Sequence, residues 1–88
     1  MVNGQPWFDL NYPISGTCTR TDDKENYGKK REEIVNLDIS NQNLEGCIIA
    51  PGFYSIRKLN CSFNRISCLL GYPEQINLEE VDYSHNQH

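Results

Sequence analysis

The stretch IVNLDISNQNL, residues 34 to 44, sets the frame for most of the chain. The frame returns as IRKLNCSFNRI at residues 56 to 66 and as LEEVDYSHNQH at residues 78 to 88, so the copies begin 22 residues apart. Each copy has apolar residues at positions one, four and six, serine at position seven and an amide side chain at position nine. Repetition at a constant period of roughly 20 to 50 residues indicates structural units that stack on one another.

Alternation of apolar and polar residues within each copy predicts a short β-strand. A step of 22 residues is too long for a hairpin, but it suits a coil that lays each strand parallel to the previous one. The predicted core of the repeats comprises Ile34, Leu37, Ile39, Leu44, Ile56, Leu59, Cys61, Ile66, Leu78, Val81 and Tyr83. Asn64 and Asn86 are predicted turn residues, whose amides satisfy backbone groups that the turns leave without partners.

The segments that join successive strands are predicted to form an outer arc on each coil. Pro51 and Pro73 occupy the same phase of the two arcs, and apolar residues lie close to both. Proline lacks the backbone donor that a regular long helix needs. The arcs are therefore predicted to be irregular or single-turn helical.

Residues 1 to 33 are predicted to form an N-terminal cap. The stretch PWFDLNYP at residues 6 to 13 is largely apolar and bounded by prolines, which predicts a short helix. A polar loop is expected at residues 14 to 23, and a second helical turn within residues 24 to 33. Because the first helix is too short to be stable alone, we expect it to lie on the open end of the repeats.

Composition excludes several classes of partner. The net charge is -4 and the basic residues are not gathered on one element, which argues against nucleic acid or an anionic membrane. The chain has no run of 18 apolar residues, and its first residues do not resemble a secretory signal. We therefore expect a cytoplasmic, intracellular protein with reduced cysteines; two disulfides would be expected only of an extracellular protein.

The repeat frame resembles the L-x-x-L-x-L-x-x-N-x-L frame of the leucine-rich-repeat family over residues 34 to 88. The segments WFDLNYP (residues 7 to 13), GKKREEI (28 to 34) and NLEG (43 to 46) are similar to the N-terminal cap of a group of fungal and bacterial members. Those members carry C-S-x-N in many strands, as residues 61 to 64 do here. The resemblance implies an α/β leucine-rich-repeat solenoid with a short parallel sheet on its concave side and a short N-terminal capping helix.

The domain organisation that follows is a cap at residues 1–33 and repeats at 34–55, 56–77 and 78–88, the last one truncated. Solenoids need about three repeats and a polar terminal cap. The chain is thus expected to be the N-terminal fragment of a longer protein or a truncated reading frame, and either to unfold easily or to self-associate through its uncapped C-terminal end. Because some fungal members join such arrays to signalling domains, the resemblance implies a non-enzymatic protein-binding scaffold, the recognition part of a signalling or regulatory protein.

Outward positions of the predicted strands form rows across the sheet. Two aspartates that flank Asn60 make an acidic, hydrogen-bonding stripe, which favours a basic or polar peptide surface. Phe63 stands where an exposed residue is expected; it is either a binding anchor or a ring that leans onto the adjoining turn. The predicted binding surface comprises Asn36, Asp38, Arg57, Lys58, Asn60, Phe63, Glu80, Asp82 and His85.

Three other functions fit the residues less well. A purely structural capping segment would leave the binding surface to other repeats. A metal or thiol site would use Cys61, Cys68 and His85, but the chain has no C-x-x-C pair. Catalysis by Cys18 or Cys68 with His85 would need a shaped pocket and an orienting group. We therefore expect no catalytic residue, no metal and no cofactor.

Overall fold

The computed structural model describes residues 1–70 and 78–86. Its elements are β1 (Val2–Asn3), α1 (Gly4–Asn11), a 3-10 turn (Arg31–Glu33), β2 (Asn36–Asp38), β3 (Leu44–Ile49), β4 (Lys58–Asn60), β5 (Arg65–Leu70) and β6 (Glu80–Asp82). The strands form two parallel sheets, which we call sheet I (β1-β3-β5) and sheet II (β2-β4-β6).

Sheet II contains one strand from each copy of the repeated frame. Leu37 of β2 faces Leu59 of β4, and Leu59 faces Val81 of β6, with parallel strands throughout. The prediction that the backbone returns every 22 residues to lay a new strand beside the last one is confirmed for these three strands.

The predicted fold class is wrong. A leucine-rich-repeat solenoid with a single short sheet and irregular arcs is not observed; the described residues form two three-stranded sheets in a compact body of 28 × 27 × 20 Å. Sheet I accounts for the error, because β3 and β5 lie in segments that we assigned largely to the outer arcs. Both segments are rich in isoleucine and leucine, which suit a strand. Pro51 follows β3 without interrupting it, and Pro73 lies outside the described residues.

The hydrophobic core includes most of the residues predicted for it. Eight of them are at most 2% exposed: Ile34, Leu37, Ile39, Leu44, Ile56, Leu59, Cys61 and Ile66. Leu78 is only partly buried, and the prediction is wrong for Val81 and Tyr83, which are each 40% exposed. The physical reason is their position at an edge, because no described strand lies beyond β6.

The N-terminal helix is confirmed, and it packs against β3 of sheet I. A Cβ atom at Gly4 would lie 2.8 Å from Cδ1 of Ile48 and 3.1 Å from the carbonyl oxygen of Glu45, so this close approach requires glycine. Phe8 lies on Phe53, with ring centroids 5.8 Å apart. The predicted second helical turn is only the 3-10 turn at Arg31–Glu33. No helix in the described ranges has the length and apolar character needed to cross a bilayer.

The cysteines differ from the expectation that all four are reduced. Cys47 and Cys68 form a disulfide, whereas Cys18 and Cys61 are unpaired and buried. The pairing of β3 with β5 places Cys47 directly opposite Cys68, with Cα atoms 4.5 Å apart. The prediction failed because both residues were assigned to arcs, for which the sequence provided no strand register.

Candidate binding surface on sheet II

The outward side chains of sheet II lie in rows because its three strands share one register. One row comprises Asn36, Lys58 and Glu80, and a second comprises Asp38, Asn60 and Asp82. All six residues are exposed or half-buried, and they line an open groove of about 660 Å³. The predicted rows are therefore present, with Leu37 and Leu59 directed into the core between them.

The second row is held in a defined orientation by serines two residues further along the chain. One carboxylate oxygen of Asp82 accepts the Ser84 N–H at 2.9 Å and the Ser84 hydroxyl at 2.6 Å. Asn60 accepts the same two bonds from Ser62, and Asp38 has the equivalent pair in the first copy. The bonds from Ser84 hold the pKa of Asp82 below its usual range, with a smaller contribution from nearby His85. This carboxylate is consequently negative at neutral pH.

An aromatic pair lies at the end of the rows. The rings of Phe63 and His85 stack with centroids 4.2 Å apart and planes inclined by 12°. The ring of Phe63 leans onto the neighbouring turn, as one of the two interpretations predicted, and it is still 51% exposed. Phe63, His85 and the equivalent Asn41 all have φ of 56°. This left-handed conformation is uncommon for an aromatic residue, and the Phe63 N–H donates to the Ser84 carbonyl at 3.1 Å.

Charged side chains border the first row. The guanidinium of Arg57 lies 2.9 Å from the carboxylate of Glu79, which occupies the same frame position in the next copy. Lys58 and Glu80 are register partners, but they form no ion pair within the described part of the chain. Lys58 therefore remains the one cation of the two rows that can contact an external group.

The predicted turn asparagines satisfy backbone groups in two successive coils, which confirms their expected role. Oδ1 of Asn64 accepts the N–H groups of Gln42 and Leu44 at 3.0 and 3.1 Å. Its amide nitrogen donates to carbonyls of Ile39, Cys61 and Ser62. Asn86 repeats this arrangement one coil later, with bonds to Ile66, Cys61, Tyr83 and Ser84. These contacts fix the turns that support the aromatic pair.

Two buried residues of the cap, which the sequence did not indicate, complete one edge of sheet II. Arg20 donates to the carbonyl of Asp38 at 2.7 Å and to the Tyr12 hydroxyl at 3.0 Å. The amide of Asn26 donates to the carbonyl of Asn36 at 2.8 Å. A lone arginine and a lone asparagine in a polar loop carry no periodic signal, so no feature of the sequence could have identified them.

The remaining thiols are poorly suited to chemistry. Burial raises the pKa of Cys18, and it raises the pKa of Cys61 to about 12. A thiolate, the reactive form, is therefore disfavoured at both positions. The residues proposed for a metal site are not gathered, since Cys68 is in the disulfide and no group of three or more potential metal ligands occurs within residues 1–70 and 78–86.

Comparisons with known proteins give no family and no relative. No protein-family model matches the chain, and neither a curated protein nor a solved structure matches it.

Proposed function

We propose that this chain is a non-enzymatic protein-binding module, and that its binding surface is the outward face of sheet II with the adjoining Phe63–His85 pair. The observation that carries the proposal is the combination of pre-oriented polar rows with a half-exposed aromatic ring at their end. Aromatic residues are frequent anchors of protein interfaces, and polar rows provide specificity around them.

The geometry supports a protein or peptide rather than a small molecule. The groove along the rows is wide and open, whereas small-molecule sites are concave and enclose most of the ligand. Each row crosses three strands that lie about 4.8 Å apart, so about three residues of an extended peptide, at about 3.3 Å each, span it. Asp38 and Asp82, one on either side of Asn60, favour a segment with basic or polar side chains.

The same surface argues against nucleic acid and anionic membranes as partners. Its rows contain three carboxylates, at Asp38, Glu80 and Asp82, against the single cation of Lys58, and a phosphate backbone requires the opposite balance. An intracellular location is part of the proposal.

A direct test selects peptides from a random display library on the immobilised chain and measures their affinity for variants. We expect Phe63→Ala and Asp82→Lys each to weaken binding at least about tenfold, as loss of an interface anchor does. Tyr54→Ala is the matched control, because Tyr54 is exposed but does not line the groove. Binders that tolerate both surface variants would contradict the proposal.

A second candidate role is structural, as a capping segment. The observation in its favour is that Arg20 and Asn26 close the β2 edge of sheet II with side-chain hydrogen bonds. Peptide selection separates the two roles, because a purely structural segment yields no peptide whose binding depends on Phe63 or Asp82. Arg20→Ala is expected to lower the free energy of unfolding in either case.

A further inference from the structure

The Cys47–Cys68 disulfide occupies a different sheet from the proposed binding surface. It joins β3 to β5, neighbouring parallel strands of sheet I, at directly opposed positions. Cys47 is exposed and Cys68 is half-buried, so an external reagent can reach this bond. Neither the repeat frame nor the proposed binding surface requires cysteine at these two positions.

A local irregularity of the backbone brings the two cysteines together. Glu45 pairs with Arg65 and Gly46 pairs with Ile66, an offset of 20 residues that would place Cys47 opposite Ser67. The register slips between Gly46 and Cys47, and Cys47 then faces Cys68. Gly46 has φ of 88°, a conformation that glycine adopts without strain and that is typical of a bulge. The bulge therefore aligns the two sulfurs.

The other two cysteines are separated from this chemistry. Cys18 and Cys61 are 3% and 0% exposed, and burial is the largest cause of the raised pKa of each thiol. The Cys61 thiol also donates to the carbonyl of Asp82. Buried, protonated thiols do not attack a neighbouring disulfide. The chain thus contains one accessible pair and two protected thiols.

We propose that Cys47 and Cys68 form a reversible thiol–disulfide exchange site for low-molecular-mass thiols and their disulfides. In reduction, an external thiolate attacks Sγ of the exposed Cys47, the bond to Cys68 breaks, and Cys68 leaves as a thiolate. A second external thiolate then attacks the external sulfur of the mixed disulfide. This step releases the Cys47 thiolate and one molecule of external disulfide. The protein has gained two electrons, and solvent protonates its thiolates according to pH.

Oxidation follows the same steps in reverse, with an external disulfide as the oxidant. We expect the fold to persist without the covalent bond, because β3 and β5 are also paired along the sheet and Leu44, Ile48 and Ile66 are in the core. A reducing compartment disfavours permanent disulfides but permits transient or sensing ones. The site is thus compatible with the intracellular location proposed above, and it does not depend on the proposed binding function.

The test measures thiols on the full chain in glutathione buffers of different ratios. Under native conditions, a thiol-reactive reagent is expected to label no cysteine of the oxidised protein. It should label two cysteines of the reduced protein, identified by peptide mass spectrometry as Cys47 and Cys68. Labelling of Cys18 and Cys61 is expected only after the reduced protein is unfolded. Circular dichroism should be the same for the oxidised and reduced forms.

Single variants test the order of attack. With oxidised glutathione, Cys68→Ser should form one adduct at Cys47, and Cys47→Ser should form its adduct at Cys68 several-fold more slowly. Absence of a Cys47–Cys68 cross-link at every glutathione ratio in the wild type would overturn the proposal. Native labelling of all four cysteines after reduction, or an equal rate for the two variants, would also contradict it.

Discussion

The two outer edges of sheet II come from the same sequence frame, but they are completed in different ways. Within the sheet, the carbonyl of Asn60 accepts the N–H of Ile39 at 2.8 Å, and the carbonyl of Asp82 accepts the N–H of Cys61 at 2.9 Å. The equivalent carbonyl of Asp38 has no preceding strand, and Arg20 donates to it at 2.7 Å instead. A side chain of the cap thus provides the hydrogen bond of a strand.

At the opposite edge, formed by β6, no described side chain provides the hydrogen bond of a missing strand. Side chains at this edge are also more exposed. Leu37, Leu59 and Val81 occupy one frame position on three adjacent strands, and they are 1%, 2% and 40% exposed. The frame therefore determines the direction of a side chain, whereas the neighbours determine whether it is buried.

The largest contrast is expected between Leu37→Ala and Val81→Ala. Leu37 is fully packed, so truncation should lower the free energy of unfolding by about 2 to 5 kcal/mol. Val81 is at the exposed edge, and its truncation should cost less than about 1 kcal/mol. Urea unfolding followed by circular dichroism measures both. Equal losses would show that β6 is as well buried as β2, which would contradict the comparison.

A second contrast concerns the turn asparagines. Asn64 is buried, and its replacement by alanine leaves the N–H groups of Gln42 and Leu44 without their partner. Unpaired buried groups cost about 1 to 3 kcal/mol each, so we expect a total loss of about 3 kcal/mol for Asn64→Ala. Asn86→Ala should cost about 1 kcal/mol, because several of its bonds are open to solvent.

Hydrogen exchange shows which backbone amides lose protection when each turn asparagine is replaced. Asn64→Ala should increase exchange at the amides of Gln42 and Leu44, whereas Asn86→Ala should act on the amide of Ile66. A uniform increase over the whole chain in both variants would argue that these asparagines stabilise the fold globally rather than turn by turn.

The sequence predicted sheet II well because its signal is periodic. Three copies at a constant step specify which residues are neighbours, and the turn amides recur at one frame position, so Leu37, Leu59 and Asn64 were assigned correctly. The polar rows of sheet II follow from the same register. Val81 was assigned to the core because it occupies the same frame position as Leu37 and Leu59. The period does not indicate at which strand the sheet ends.

Sheet I was missed because its signal is not periodic in the same way. The register between β3 and β5 slips at Gly46, so equivalent residues in the two segments are 20 apart before the slip and 21 apart after it. The frame of 22 residues hides that relation, and with it the pairing of Cys47 with Cys68. Arg20 likewise forms its hydrogen bonds only once the fold has brought a distant loop to β2.

The free energy of unfolding at alkaline pH tests how completely Cys61, at the centre of sheet II, is buried. Below the ordinary thiol pKa of about 8.5, Cys61 is protonated in both the folded and unfolded states. Between that value and its folded pKa of about 12, only the unfolded state loses the proton. The free energy of unfolding should therefore fall with rising pH, by about 1.4 kcal/mol per pH unit for this group.

Cys61→Ala provides the control for this pH dependence. Tyr12, whose pKa burial also raises, adds to the slope above about pH 10 in both proteins. The difference between the two curves isolates the contribution of Cys61. Parallel curves between pH 9 and 11 would show that the thiol ionises as easily in the folded protein as in the unfolded one.

The smallest effect is expected at the exposed Arg57–Glu79 ion pair, which spans β4 and β6 at the open edge. Both side chains are more than half exposed, so Arg57→Ala should change the free energy of unfolding by less than about 0.5 kcal/mol. Arg20→Ala is the matched change at the opposite edge, where the guanidinium is buried and bonded to the carbonyl of Asp38. It should cost about 3 kcal/mol, because it leaves buried acceptors unpaired. A similar cost for the two arginines would mean that the edges of sheet II are completed alike, and the contrast between a capped and an open edge would be lost.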